Sequence, residues 1–178
     1  MKSRETVFQG EFLSVHRDMV ELPNGNTAGQ EWVEHRGAAG ILALTDTGEV
    51  VMIRQHRHPA GQALLEIPAG KLEGDEAPAA CAARELEEET GYRAGVLEPL
   101  GKFYPVPAYS SELLYLFLAR DLKKTRQNLD ADEFLNLEMV KLEDAITMCL
   151  TGKIINATAL VALLTYRALR EKQPAQTE

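Results

Sequence analysis

Apolar and polar residues in the first third of the chain alternate as they do in half-buried β-strands. Turn-forming residues at 23–26 and 46–48 separate these runs, and the middle of the chain changes to strong helix formers. Towards the C-terminus, Leu160, Val161 and Leu164 share one stripe at helical spacing. The pattern predicts strands at 12–22, 30–34, 41–44, 50–54, 95–104, 113–119 and 138–141, and helices at 76–90, 142–150 and 157–169.

The order of these elements is strands, one helix, strands, then two helices. A regular alternation of strands and helices would predict a wholly parallel sheet, and this order does not. We therefore expect an α/β protein in which a mixed sheet carries helices on its faces. With 178 residues the chain has the size of one domain, which we place at 1–172, followed by a polar, flexible tail at 173–178.

The helix at 76–90 has recognisable ends. Asp75 is available as an N-cap, Pro78 falls in the first turn, and Gly91 follows the last helical residue. On this helix Glu85, Glu88 and Glu89 occupy positions i, i+3 and i+4, so their carboxylates share one face.

Three carboxylates on one face repel one another unless a cation lies between them. Hard oxygen ligands suit Mg²⁺ or Mn²⁺, which also accept phosphate oxygens of a substrate. The alternative is a merely solvated acidic face, the usual fate of a charge run on a helix.

The surrounding residues decide between these readings. Residues 70–92 read G-x5-E-x7-R-E-L-x-E-E-x-G-Y. This resembles the signature of the Nudix hydrolases, and all seven of its fixed letters are present. A chance match in a chain of this length has odds below roughly one in a million, given ordinary residue frequencies. The resemblance implies an α/β/α sandwich with a mixed sheet and an N-terminal antiparallel sheet region.

The resemblance also implies a reaction, in which water attacks a phosphorus atom of a nucleoside diphosphate linked to another group. It assigns Glu85, Glu88 and Glu89, together with the carbonyl of Ala69, as ligands of two or three Mg²⁺ or Mn²⁺ ions. Arg84 would orient these carboxylates through an ion pair rather than touch the substrate.

Residues outside this motif resemble the ADP-ribose and nucleoside-diphosphate-sugar pyrophosphatase branch. The branch often has R-Q-x-R and E-x-P-A-G, which here are residues 54–57 and 66–70, and a proline at the position of Pro107. The resemblance makes Arg54, Arg57, Glu66 and Pro107 candidate substrate-binding residues. An exposed salt bridge is the alternative for Arg57 and Glu66. Residues 106–108 read V-P-A where the branch commonly has S-P-G, so the sugar is left open.

The general base is expected among mobile carboxylates that close over the attacking water. We favour Glu133 over Asp132 and Glu112, and Glu89 completes the candidate catalytic set. For the nucleobase, Trp32 or Phe8 in the N-terminal strands is a candidate stacking residue, with ordinary packing as the alternative.

Charge and composition limit the classes of partner and the cellular location that we expect for this protein. The chain has 27 acidic and 19 basic side chains and a formal charge of -8, which disfavours binding to a nucleic-acid backbone. No apolar stretch is long enough to cross a membrane, and no signal-peptide pattern opens the chain. Two cysteines are too few for a disulfide scaffold, so we expect a cytoplasmic protein.

The sequence thus predicts a Mg²⁺- or Mn²⁺-dependent pyrophosphatase that splits ADP-ribose or a related nucleoside diphosphate sugar into a nucleoside monophosphate and a sugar phosphate. The family resemblance implies a homodimer formed through the N-terminal strands, at about 1–36. The alternatives are hydrolysis of GDP-mannose, FAD or an oxidised nucleoside triphosphate, and a ligand sensor of the same fold without turnover.

Overall fold

The N-terminal part of the chain forms a separate three-stranded antiparallel sheet of β1 (Ser3–Gln9), β2 (Ser14–Glu21) and β3 (Thr27–Glu34). The computed structural model describes residues 1–129 and 133–172, so the predicted tail at 173–178 lies outside the described residues. The backbone N–H of Val33 donates to the carbonyl of Tyr109 at 2.7 Å, which ties this sheet to the rest of the protein.

The second sheet has seven strands, in the order β10-β5-β4-β9-β8, with β6 on β5 and β7 on β4. The pair β4–β9 is parallel and the other pairs are antiparallel. The predicted mixed sheet is therefore confirmed. Its strands are β4 (Ala38–Leu44), β5 (Glu49–Arg57), β6 (Gln62–Glu66), β7 (Ala69–Lys71), β8 (Tyr92–Phe103), β9 (Leu114–Lys124) and β10 (Leu135–Lys141).

Helices cover both faces of this sheet, which confirms the expected α/β/α sandwich. The helix α1 (Pro78–Thr90) packs on one face, and α2 (Leu142–Leu150) and α3 (Ala157–Lys172) pack on the other. All seven residues of β4 are buried because this central strand is covered on both faces. No helix within the described ranges is long and apolar enough to span a membrane.

The start of α1 differs from the prediction. The helix begins at Pro78, and the N-cap is Ala77 rather than Asp75. A residue before proline is pushed out of the helical region, and Ala77 is accordingly extended with ψ 141°. The predicted end is confirmed, since Gly91 has φ 66° and its N–H donates to the carbonyl of Glu87 at 2.8 Å.

Three strands were not predicted. β1 is exposed throughout and polar except for Val7 and Phe8, whereas β6 and β7 are only five and three residues long. Such segments carry little hydrophobic periodicity, so tertiary pairing rather than local pattern makes them strands. The strands predicted at 113–119 and 138–141 are longer in the structure, as β9 and β10.

Candidate active site

The carboxylates of α1 lie at the floor and wall of one open cavity of about 1310 Å³. The helix is anchored by Cys81, Ala82 and Leu86, which are fully buried against the sheet. That packing turns the glutamate face towards the cavity. The walls of the cavity include most of the predicted site residues, namely Arg57, Glu66, Ala69, Glu85, Glu88, Glu89, Glu112 and Glu133.

The three glutamates are buried to different depths. Glu89 is only 2% exposed, and the side chains of Glu85 and Glu88 are 12% and 38% exposed. The backbone N–H of Ala69 donates to Glu89 Oε2 at 2.9 Å, which fixes the deepest carboxylate against β7. Acidic groups thus run from the protein interior to the cavity mouth.

A missing side chain makes room for the middle carboxylate. Gly70 lies on β7 beside Glu85, and a Cβ atom at this position would overlap the Glu85 carboxylate. The first glycine of the motif is therefore required by a close approach and not by a turn.

Arg84 holds the carboxylates from the side, as the sequence predicts. Its Nη1 donates to Glu85 Oε1 at 2.7 Å and to Glu88 Oε2 at 3.0 Å. Its Nε and Nη2 donate to Glu76 at 3.1 and 3.0 Å. The guanidinium lowers the pKa of Glu76, so this carboxylate stays ionised and anchors the arginine.

Burial opposes ionisation of the two inner carboxylates. Desolvation raises the pKa of Glu89 to about 8, although the N–H of Ala69 partly offsets it. Desolvation also raises the pKa of Glu85, against the opposing effect of Arg84. A cation placed among these oxygens would remove both penalties.

The donor set fits a hard divalent cation, because it consists of carboxylate oxygens with the carbonyl of Ala69 nearby. Within 1–129 and 133–172, no three His, Cys, Asp or Glu side chains already stand in a metal-binding arrangement. Arg84 binds Oε1 of Glu85 and Oε2 of Glu88, so a cation in the cavity would compete with the guanidinium for these two carboxylates.

Arg57 and Glu66 form a two-pronged ion pair in the cavity wall. Arg57 Nε and Nη2 donate to the two carboxylate oxygens of Glu66 at 3.0 and 2.7 Å. Glu66 is 2% exposed and the Arg57 side chain is 41% exposed, so the carboxylate is buried while the arginine reaches the cavity. The pair leaves two N–H groups on Nη1 and one on Nη2, and a diphosphate can accept from both nitrogens as a second bidentate partner.

Two predicted catalytic carboxylates also reach the cavity. Glu133 lies just before β10, and Glu112 lies in the loop before β9, where its Oε1 is 4.0 Å from His35 Nδ1. Asp132, the other residue considered as base, lies outside the described residues.

The structure does not bring Arg54 to the cavity. Arg54 lies on the opposite face of β5 from Arg57 and donates through Nε and Nη2 to Glu138. Successive side chains of a strand point to opposite faces, so residues three apart cannot share one. Arg54 therefore does not line the cavity with Arg57, and its role in substrate binding stays a prediction.

Trp32 and Pro107 line a second, smaller cavity of about 600 Å³ instead. The indole N–H of Trp32 donates to Asp18 at 3.1 Å, and the ring contacts Arg4 at 4.8 Å and His16 at 4.9 Å. These contacts pack the tryptophan into the N-terminal sheet. A role in stacking on a nucleobase stays a prediction.

The cavity also has lining residues that the sequence did not single out, among them Phe12, Gln55 and Lys71. The ring of Phe12 is 66% exposed and lies 5.0 Å from Lys71 Nζ, at the tip of the β1–β2 hairpin. Gln55 is the second residue of the R-Q-x-R run at 54–57, to which the sequence assigned no separate role.

Comparison with known proteins bears on this geometry. Residues 34–161 match the family model described as the NUDIX domain. The chain is 40% identical to an ADP-ribose pyrophosphatase of Bacillus subtilis (strain 168) over 176 residues, which are 98% of this chain and 95% of the relative. It is 33% identical to an ADP-ribose pyrophosphatase of Mycobacterium tuberculosis (strain ATCC 25618 / H37Rv), over 99% of this chain and 88% of the relative.

The chain is also similar to a third relative and to a solved structure. The chain is 38% identical to the methanol dehydrogenase activator of Bacillus methanolicus, over 94% of this chain and 91% of the relative. A solved structure, titled as the crystal structure of an ADP compounds hydrolase, superimposes with a TM-score of 0.84 and 24% identity. That match covers 97% of this chain and 94% of the other, and it shows a shared fold.

Proposed function

Because this chain belongs to the NUDIX domain family, we propose that it is a metal-dependent pyrophosphatase. Its substrate is ADP-ribose or a related nucleoside diphosphate sugar, and its products are a nucleoside monophosphate and a sugar phosphate. One observation carries the proposal. One cavity contains both the three carboxylates of α1, which lie at different depths, and Arg57. The guanidinium of Arg57 has N–H groups that Glu66 does not use and that suit a diphosphate. The similarity to two ADP-ribose pyrophosphatases supports this substrate class.

Glu85, Glu88 and Glu89 would hold Mg²⁺ or Mn²⁺, two or three ions in all, with the carbonyl of Ala69 as a further ligand. When bound, these ions supply Lewis-acid stabilisation of the charge that develops on the diphosphate. Arg84 keeps its anchor on Glu76 when it releases the other two carboxylates, so it stays beside them and limits their motion.

In the proposed reaction, the oxygen of water forms a bond to one phosphorus atom as the bridging P–O bond to that phosphorus breaks. Glu133 accepts the proton of the water, and Arg57 holds the phosphates through the end of its guanidinium. Glu133 suits this role because it lies in the cavity at the start of β10, close enough to influence the charge of both Arg57 and Glu89. Glu112 is the second candidate base.

The proposal includes a homodimer formed through the N-terminal sheet. Every residue of β1 is exposed, including Val7 at 50% and Phe8 at 55%. Apolar side chains exposed on an edge strand favour burial against another surface. Light scattering should give the mass of two chains for the full protein, and a monomer at micromolar concentration would argue against this part of the proposal.

The proposed activity is tested by incubating the protein with ADP-ribose and Mg²⁺ and measuring AMP and ribose 5-phosphate. GDP-mannose, FAD and an oxidised nucleoside triphosphate, assayed in parallel, decide between the alternative substrates. Absence of AMP with every divalent ion tried would remove the proposal.

A double substitution, Glu88→Gln with Glu89→Gln, should abolish turnover and leave the fold intact, because a helix accommodates glutamine about as well as glutamate. Glu87→Gln is the matched control, since Glu87 is on the same helix but pairs with Arg93 outside the cavity. A ligand sensor without turnover would show no loss in the double variant, because it has no rate to lose.

A further inference from the structure

The last carbonyl groups of α1 accept hydrogen bonds from the loop that follows β9. The side chain of Gln127 donates through Nε2 to the carbonyl of Glu89 at 2.6 Å. The backbone N–H of the next residue, Asn128, donates to the carbonyl of Glu88 at 2.9 Å. The last four carbonyls of a helix have no partner within the helix. This loop serves two of them, and both belong to residues proposed as metal ligands.

The loop lies directly against the end of the helix. A Cβ atom added to Gly91 would lie 2.8 Å from the backbone nitrogen of Gln127, so the glycine permits this close approach. The carbonyl of Gly91 also accepts from the backbone N–H of Thr125 at 2.7 Å. Together with the bonds of Gln127 and Asn128, this contact holds residues 125–128 on the C-terminal end of α1.

The same stretch of chain leads to the proposed base. Glu133 follows Asn128 by five residues and lines the large cavity, close enough to Glu89 for its charge to help raise the pKa of that carboxyl. Two residues further on, Leu135 pairs with Gln55 of β5. Glu133 therefore lies between two anchors, one on α1 and one on the sheet.

The side chain of Gln127 does more than cap the helix. Gln127 is exposed, so a water molecule can replace it as the donor to the carbonyl of Glu89. Water cannot tie the loop to the helix, however. Loss of this side chain therefore leaves the carbonyl satisfied and removes a tether. Misplacing a catalytic group by about 1 Å is enough to slow a reaction.

From this arrangement we infer that Gln127 is a positioning residue, which fixes the stretch of chain that carries Glu133 relative to the metal ligands of α1. Because Gln127 donates to the backbone of Glu89, the base and the metal ligands are placed from the same end of one helix. The inference rests on the proposed function. It deepens that function by assigning the placement of the base to a side chain that does not line the cavity.

The test uses the full-length protein with ADP-ribose and Mg²⁺. Gln127→Met keeps the length of the side chain and removes the donor. We expect kcat for AMP release to fall by roughly three- to tenfold, the scale of one ordinary hydrogen bond. KM and the Mg²⁺ concentration for half-maximal rate should not change, because the groups proposed to bind the substrate and the metal are kept. The melting temperature should fall by less than about 3 °C.

Two further variants are matched to Gln127→Met. Gln127→Arg should restore the wild-type kcat, since arginine supplies N–H donors and its charge suits the C-terminal end of a helix. Thr125→Val is the control, because Thr125 contacts α1 through a backbone N–H that valine keeps, and its kcat should equal that of the wild type. Gln127→Ala repeats the loss, so misfolding of one variant leaves the other to decide.

A double-mutant cycle with Glu133→Gln separates positioning of the base from a general loosening of the site. If Gln127 acts through Glu133, Gln127→Met lowers kcat in the wild-type background and has no further effect in the Glu133→Gln background. Equal losses in both backgrounds would overturn the inference. So would a weaker dependence on Mg²⁺ as the main defect, or a Glu133→Gln variant with the wild-type kcat.

Failure of the proposed function gives a different result. It would appear in the wild type, as the absence of AMP with every divalent ion tried, and the inference would then fail with it. An active wild type with an additive cycle would overturn the role of Gln127 alone and leave the proposed activity in place.

Discussion

The depth of Glu89 predicts a pH-dependent stability of the metal-free protein. Burial raises the pKa of this carboxyl from 4.5 to about 8. One pKa unit corresponds to about 1.4 kcal/mol. Ionising Glu89 therefore costs the folded state about 3 kcal/mol at pH 7 and about 5 kcal/mol well above pH 8.

The sign of the pH effect on stability depends on whether the folded or the unfolded protein holds the proton of Glu89. Between pH 4.5 and 8 the folded protein keeps the proton on Glu89, whereas the unfolded chain has released it. The contribution of this group to stability is thus fully present below pH 4.5 and is lost as the pH rises through about 8.

Replacing Glu89 by glutamine removes the titration and keeps an oxygen that can accept from the N–H of Ala69. Urea unfolding in EDTA at pH 5 and pH 8 gives the free energy of unfolding of the wild type, Glu89→Gln and the control Glu87→Gln. We expect the variant to gain about 3 to 4 kcal/mol relative to the wild type between the two pH values. Saturating Mg²⁺ should stabilise the wild type more at pH 8 than at pH 6. Parallel pH profiles for the wild type and Glu89→Gln would refute this account of the buried carboxyl.

Three further substitutions test other parts of the site. Gly70→Ala places a Cβ in the space of the Glu85 carboxylate. The rate of AMP release should fall by about a hundredfold, and calorimetry should show a lower affinity for Mg²⁺. Normal rates would show that the close approach of Gly70 to Glu85 is not needed. Arg57→Lys cannot reproduce the paired hydrogen bonds to Glu66, so KM should rise and urea unfolding should show a loss of about 1–3 kcal/mol; an unchanged KM would exclude Arg57 from substrate binding. Leu86→Ala, at a fully buried position, should cost about 2–5 kcal/mol, and a loss below 1 kcal/mol would mean that α1 is anchored elsewhere.

Local chemistry explains which features were predictable from the sequence. The face shared by Glu85, Glu88 and Glu89 follows from helical geometry alone, and the structure reproduces it. The C-terminal end of α1 is encoded by Gly91, because this residue adopts the left-handed conformation of a helix C-cap, with φ 66°. Features fixed by the residue and its immediate neighbours in the chain were therefore recovered.

Features that depend on the extent of a strand were not predicted from the sequence. The strand predicted at 50–54 ends three residues before the observed end of β5 at Arg57. With that boundary, the alternation that separates Arg54 from Arg57 and unites Gln55 with Arg57 could not be followed. Pairing with β6 extends β5 to Arg57, and the five residues of β6 are too few to show a strand pattern in the sequence. The missed partner strand thus explains why the sequence grouped Arg54 with Arg57 and did not single out Gln55.

The two ends of the carboxylate row are held by different forces, and this determines how the site responds to a cation. Glu89 is fixed by burial and by the N–H of Ala69, so it changes by losing a proton rather than by moving. Glu88 is more exposed and is held mainly by Arg84, so it changes by turning away from the guanidinium. Since Glu76 retains Arg84 in either arrangement, the arginine substitutes for positive charge in the free protein without leaving the helix. A divalent ion held by these residues would displace the proton of Glu89 and compete with Arg84 for Glu88, so rising pH would favour its binding.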